Sequence, residues 1–209
     1  MAQPAAFVAR LQMPDRTSPS VDQGSFEWST RHAVILEFSE DVSGSLDPSD
    51  VFLVNTTTGL SVPSSSITLL YESQTRRATL TFDGFNGAIL PDGAYHLTLP
   101  SGSIQDAAGN VGTEAFALDF HVLAGDANRD RVVNFSDLLV IAQNYGQSNR
   151  TFSQGNFNYS PDGVVNFSDL LIIAQKYGSS LPALHSTTSF GTTRVAGDVL
   201  SESDDKLSW

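Results

Sequence analysis

The stretch AFALDFHVLAGDANRDRVVNFSDLLVIAQNYG, Ala115–Gly146, changes its periodicity midway, and that change divides the chain. Up to Val122 the apolar residues Phe116, Leu118, Phe120 and Val122 alternate, as in a strand buried on one face. Further on, Leu138, Leu139, Ile141, Ala142 and Tyr145 fall at helical spacing and stop at Gly146, where a left-handed C-cap is cheapest. Between them lies DANRD, which is polar and has no apolar period. The later part is written twice. VVNFSDLLVIAQNYG, Val132–Gly146, returns as VVNFSDLLIIAQKYG, Val164–Gly178, with its polar letters copied as faithfully as its apolar ones.

Upstream, period two continues. Val34, Leu36 and Phe38, then Ala78, Leu80 and Phe82, then Tyr95, Leu97 and Leu99 each alternate, and DVFLVN and SITLLYE add two more candidate strands. NTTTG, VPSSS, DGFNG, LPDG and DAAGN break the chain between them. Six or seven short strands predict an antiparallel β-sandwich over residues 5–123, so the fold class is mainly β with a small α module. LPDGAYHLTLPSGSIQDAAGNVG, Leu90–Gly112, resembles the closing part of bacterial Ig-like domains of surface and secreted proteins, where a DGxYxLxL strand precedes a DxAGN turn. Asp106 and Asn110 in that turn read either as a cation site or, preferably, as side chains that tie the turn to its own backbone.

Downstream, DANRDRVVNFSD places oxygen-bearing side chains at positions 1, 3, 5, 9 and 12 of a twelve-residue loop: Asp126, Asn128, Asp130, Asn134 and Asp137. Position 7, Val132, offers its carbonyl. This is the oxygen pattern of an EF-hand-type calcium loop. Zinc would call for nitrogen or sulfur ligands, which the loop lacks. Asp137 and Asp169 also suit helix N-caps, but a cap accounts for one residue rather than five alternating ones. In the second copy, counting back from Asp169 gives Asn158, Ser160, Asp162, the Val164 carbonyl and Asn166. A lengthened register that starts at Asn156 and admits Ser160–Pro161 as an insertion is the alternative; the twelve-residue register is preferred.

A loop followed by one helix, given twice, with Asn at position 9 and Asp at 12, resembles the dockerins. The resemblance covers about residues 125–178, with the apolar position 8 (Val133, Val165) and the DLLxxAQxYG helix recurring in both copies. It implies a domain over 124–179 with repeats 126–146 and 158–178, two Ca²⁺ sites, loops set back to back and helices packed on their leucine faces. It also implies a cohesin-like protein partner, and with it an extracellular role in polysaccharide degradation. In that family loop positions 10 and 11 help select the partner; here they are Phe135–Ser136 and Phe167–Ser168. At least one of these phenylalanines is expected to pack inside the module instead.

The first loop carries three carboxylates against two in the second, so its site is expected to bind calcium more tightly. It does so on a harder backbone. Position 6 is Gly163 in the second loop but Arg131 in the first, where a left-handed conformation costs about 1 kcal/mol or more. A dissociation constant of ~10⁻⁴ M in ~10⁻³ M calcium contributes about 1.4 kcal/mol per site, a large share for so small a core.

Composition narrows the partners. A net charge of −12 opposes nucleic-acid binding, which needs surplus Lys and Arg. The chain has no cysteine, excluding disulfides, thiolate metal sites and thiol nucleophiles. No apolar run approaches the ~20 residues of a membrane span. His32, His96, His121 and His185 are scattered, with neither HExxH nor GxSxG, so no enzyme is expected. Trp28, Tyr71 and Tyr95 are too dispersed to indicate carbohydrate binding by the sandwich. MAQPAAFVARLQ lacks the look of a secretory signal, so a processed form or fragment of an exported protein is expected. Residues 180–209 show no sustained period and read as largely disordered, with a short extended piece near Thr193–Val199. Two roles stay open: a calcium-dependent docking module behind an Ig-like spacer, or a calcium-stabilised structural terminus of a bacterial surface protein with no separate partner.

Overall fold

The computed structural model describes residues 14–183. Residues 5–13 of the expected sandwich, His185 and the extended piece expected near Thr193–Val199 lie outside the described residues. The alternating segments become strands: β1 Val21–Glu27, β2 Ala33–Phe38, β3 Phe52–Asn55, β4 Leu60–Val62, β5 Thr68–Glu72, β6 Arg77–Thr81, β7 Gly93–Leu99 and β8 Phe116–Val122. They pair antiparallel in two four-stranded sheets, ordered β1-β2-β6-β5 and β4-β3-β7-β8.

One face of each sheet builds the core. Leu36 and Phe38 of β2 and Leu80 of β6 join Leu53, Tyr95, Leu97, Leu99 and Phe120 of the other sheet in one buried cluster. Each such side chain contributes about 2 kcal/mol by leaving water. β1 and β4 are not among the strands that sequence periodicity picks out. Both are edge strands, and burial on one face is too incomplete there to impose alternation. Gly24 in β1 leaves room for the Phe116 ring of β8, which a Cβ there would displace.

After β8 the chain builds a second, smaller core. Helices α1, Phe135–Asn144, and α2, Phe167–Lys176, each begin at an asparagine cap and end two residues before a left-handed glycine, Gly146 or Gly178. The two repeats exchange backbone bonds across a pseudo-twofold. Val133 donates to Ser179 O and accepts from Gly178 N, both at 2.9 Å. Val165 donates to Gln147 O at 3.0 Å and accepts from Gly146 N at 2.8 Å. Val133, Val165, Ile141 and Ile173 fill the centre. The expected leucine contact is only half right: Leu138 and Leu170 pack against this core, whereas Leu139 and Leu171 are exposed.

The two cores share a junction. Trp28, just past β1, packs edge-on to Phe152 at 6.0 Å, and Phe152 N donates to Ser29 O. Asp92 accepts from Ala124 N at 2.8 Å and pairs with Lys176 Nζ at 2.7 Å.

Candidate metal centre

In the first loop every predicted side chain has a defined place. Asp126 accepts from Asp130 N at 3.1 Å and Arg131 N at 2.9 Å, curling the loop around its own first residue. Asp137 ties the loop's start to its end, accepting from Ala127 N at 2.8 Å and Asn134 N at 2.9 Å. Asn128 accepts from Asp130 N, Asp130 from Val132 N, and Asn134 from Ser136 N. Arg131 has φ +71°, the left-handed conformation expected at position 6; Gly163 has φ +60°.

The second loop repeats this scheme, but from Asn156. Asn156 accepts from Ser160 N four residues on, as Asp126 does from Asp130 N. Asp169 accepts from Asn158 N at 3.1 Å and Asn166 N at 3.0 Å, and Asp162 accepts from Val164 N. Packing agrees. Gly125, before Asp126, lies against Ile173 of α2, while Gly155, before Asn156, lies against Ile141 of α1. The preferred twelve-residue register is thereby shifted: Asn156 and Asn158 stand where Asp126 and Asn128 stand. Ser160 hydrogen-bonds Asn156 instead of occupying position 3. The structure accommodates Ser160–Pro161 as an insertion because Asn156 and Asp162 can both keep their bonds around it. The signal was present in Gly155–Asn156, which copies Gly125–Asp126.

Both loops bury acid groups. Asp126, Asp137 and Asp169 are at most 1% exposed. Burial pushes the Asp137 carboxyl above the usual carboxylate range and nearby Asp126 adds to this, against lowering by N–H bonds from Asn134, Asn128 and Ala127. Among the described residues no Lys or Arg pairs with Asp137 or Asp169. Capping supplies these carboxylates with N–H donors but no countercharge, and buried carboxylates ordinarily have one or coordinate a metal. An oxygen-only donor set with uncompensated buried charge fits a hard divalent cation. The three first-loop carboxylates are not drawn to a single point. Among the described residues, three carboxylates with oxygens all within 4.8 Å of one another occur at Asp15, Glu40 and Asp106 instead.

His121, one of the scattered histidines, lies beside the first loop, a proximity that the sequence pattern did not signal. It is buried, and its Nε2, 3.4 Å from Asp126 Oδ2, has no hydrogen-bond partner among the described residues. Asp106 does tie its turn, accepting from Ala108 N, Asn110 N and Asn110 Nδ2. The expectation that at least one of Phe135 and Phe167 packs inside is corrected: both are 66% exposed, because Val133, Val165 and the isoleucines already fill the core.

Two four-stranded antiparallel sheets packed over a shared core, with a short two-helix unit behind them, define an Ig-like sandwich carrying an appendage. Residues 14–122 match the family described as bacterial Ig-like domain, and the chain belongs to that family. No curated protein and no solved structure matches the chain. Ig-like domains are typically non-catalytic, and domains of this family occur in surface proteins. Among the described residues no helix is long and apolar enough to cross a membrane.

Proposed function

We propose that residues 124–179 form a dockerin-like module that takes up Ca²⁺ in its two loops and docks a cohesin-type partner outside the cell, with the Ig-like sandwich as a non-catalytic spacer. The supporting observation is the matched pair of buried carboxylates, Asp137 and Asp169, neither paired with a Lys or Arg among the described residues, each closing a loop whose proposed ligands are all oxygens. In the first loop Asp126, Asn128, Asp130, Asn134, Asp137 and the Val132 carbonyl would hold the ion. In the second, Asn156, Asn158, Asp162, Asn166, Asp169 and the Val164 carbonyl would do so. Bound there, the ion would supply the missing positive charge and hence folding free energy. Three carboxylates against two make the first site the tighter.

The docking reading draws on a second symmetry. Phe135, Leu139 and Tyr145 are 66%, 46% and 52% exposed, and Phe167, Leu171 and Tyr177 are 66%, 47% and 56% exposed. Two matched sets of exposed apolar side chains suit a protein partner in either of two orientations, and a role in polysaccharide breakdown would follow from the partner's own attachments. The alternative, a calcium-stabilised structural terminus, is favoured by the contacts that Arg129 and Tyr159 make with the sandwich. Capture of a cohesin domain with calcium, and its loss with chelator, tests the choice. Calcium uptake measured by calorimetry with no capture would leave the structural role; no uptake would remove both.

A further inference from the structure

The fourth residue of each loop does not face the ion side of its loop. It reaches the sandwich. Arg129 follows Asn128 and precedes Asp130, with φ +61°; Tyr159 follows Asn158 and precedes Ser160, with φ +53°. The Arg129 guanidinium lies 4.5 Å from the centre of the Trp28 ring and donates to His121 O at 2.9 Å. The Tyr159 hydroxyl donates to Trp28 O at 2.8 Å and meets His32 Nε2 at 2.9 Å. Since Leu90 N donates to His32 Nδ1, Nε2 carries the proton and donates to Tyr159. Equivalent residues of two repeats thus converge on one sandwich residue, Trp28.

We infer that the chain at Trp28 positions both metal loops, its ring through Arg129 and its backbone carbonyl through Tyr159: the sandwich holds the segments between loop positions 3 and 5, so that calcium affinity and the sandwich–helix junction are coupled. The inference rests on the calcium reading above. A left-handed backbone at an arginine or a tyrosine persists only where surrounding contacts hold it. Trp28 and its neighbours supply those contacts, so the ligands on either side are pre-arranged before the ion arrives. Removing the support leaves the ion to order the loop itself, which lowers its affinity. Linkage makes the effect reciprocal: an ion that binds the ordered loop strengthens the junction by the same factor.

Calorimetric titration with calcium of the full chain, the Trp28→Ala chain and the Tyr159→Phe chain tests this. Trp28→Ala removes the ring under Arg129 but keeps the carbonyl that Tyr159 bonds, so it should weaken the first site roughly fivefold or more although Trp28 offers no ligand. Tyr159→Phe keeps the ring and loses both hydroxyl bonds, so it should weaken one of the two sites and spare the other. In a Trp209→Phe background, Trp28 emission should shift to the red on chelation. Heat in the unmodified chain with unchanged affinity in both variants overturns the coupling and leaves the calcium reading intact. No heat in the unmodified chain, with no chelator-sensitive change in emission, overturns both. Should Trp28→Ala fail to fold, Tyr159→Phe and the emission change decide.

Discussion

Gly178 donates its backbone N–H to the Val133 carbonyl at 2.9 Å, and Gly146 does the same to Val165 at 2.8 Å. Each helix therefore ends on the loop of the other repeat. Neither loop–helix unit is complete alone, and the pair behaves as one small core whose stability depends on both loops keeping their shape.

Position 6 offers a direct test of that shape. Gly163 is left-handed, and a Cβ there would sit 2.5 Å from Arg150 N and 2.8 Å from Asn149 Cα, both backbone atoms. Gly163→Ala should therefore destabilise the helix pair by roughly 2 kcal/mol or more, read from urea unfolding followed by helical circular dichroism. Arg131→Gly, at the equivalent left-handed residue, should raise stability by up to about 1 kcal/mol. Equal effects of the same sign would count against the register.

Asp130 is exposed, and among the described residues its carboxylate accepts only from Val132 N and Asn128 Nδ2. Asp130→Ala should leave ion-free stability within about 0.5 kcal/mol, as for exposed sites generally. Calcium affinity at one site should fall roughly tenfold or more, because affinity follows the number of charged ligands. Two-site titration curves would show the tighter step moving; movement of the weaker step would reverse the assigned order.

His32 sets a pH dependence at the junction. Burial, with help from Arg129 and against Asp92, lowers its pKa from 6.5 to about 4. Between those values the unfolded chain binds a proton that the folded chain refuses, so stability falls as pH drops from 6.5 through 4. The loss attributable to His32 is on the order of 3 kcal/mol by pH 4. Denaturant unfolding at pH 7 and pH 4.5 should show it, and His32→Gln, with nothing to protonate there, should flatten the difference. A slope identical in both chains would assign the effect to other groups.

The symmetry of the apolar patches predicts redundancy in docking. Phe135→Ala or Phe167→Ala alone should reduce cohesin capture severalfold at most, since the other repeat still presents its patch. The double variant should abolish capture while thermal unfolding stays within a few degrees, because neither ring is in the core. Full loss from one substitution would show a single docking orientation.

Much of this protein is legible in one dimension. Leu36, Leu80, Leu97 and Phe120 alternate because a sheet with one wet face buries every second side chain, so their period survives in the letters. The duplicated helices announce themselves through glycine stops and isoleucine spacing. Edge strands β1 and β4 escaped for the same reason in reverse, since neither has a continuous dry face.

What the letters alone determined is local: the period of each element, the left-handed position 6 and the oxygen pattern of the first loop. The rest needed the third dimension. That Asn156 rather than Asn158 opens the second loop depends on Gly155 meeting Ile141, and that Arg129 and Tyr159 meet at Trp28 joins residues more than a hundred positions apart in sequence. Such contacts leave no period, because distant segments meet through packing and not through the repeat of a helix or strand.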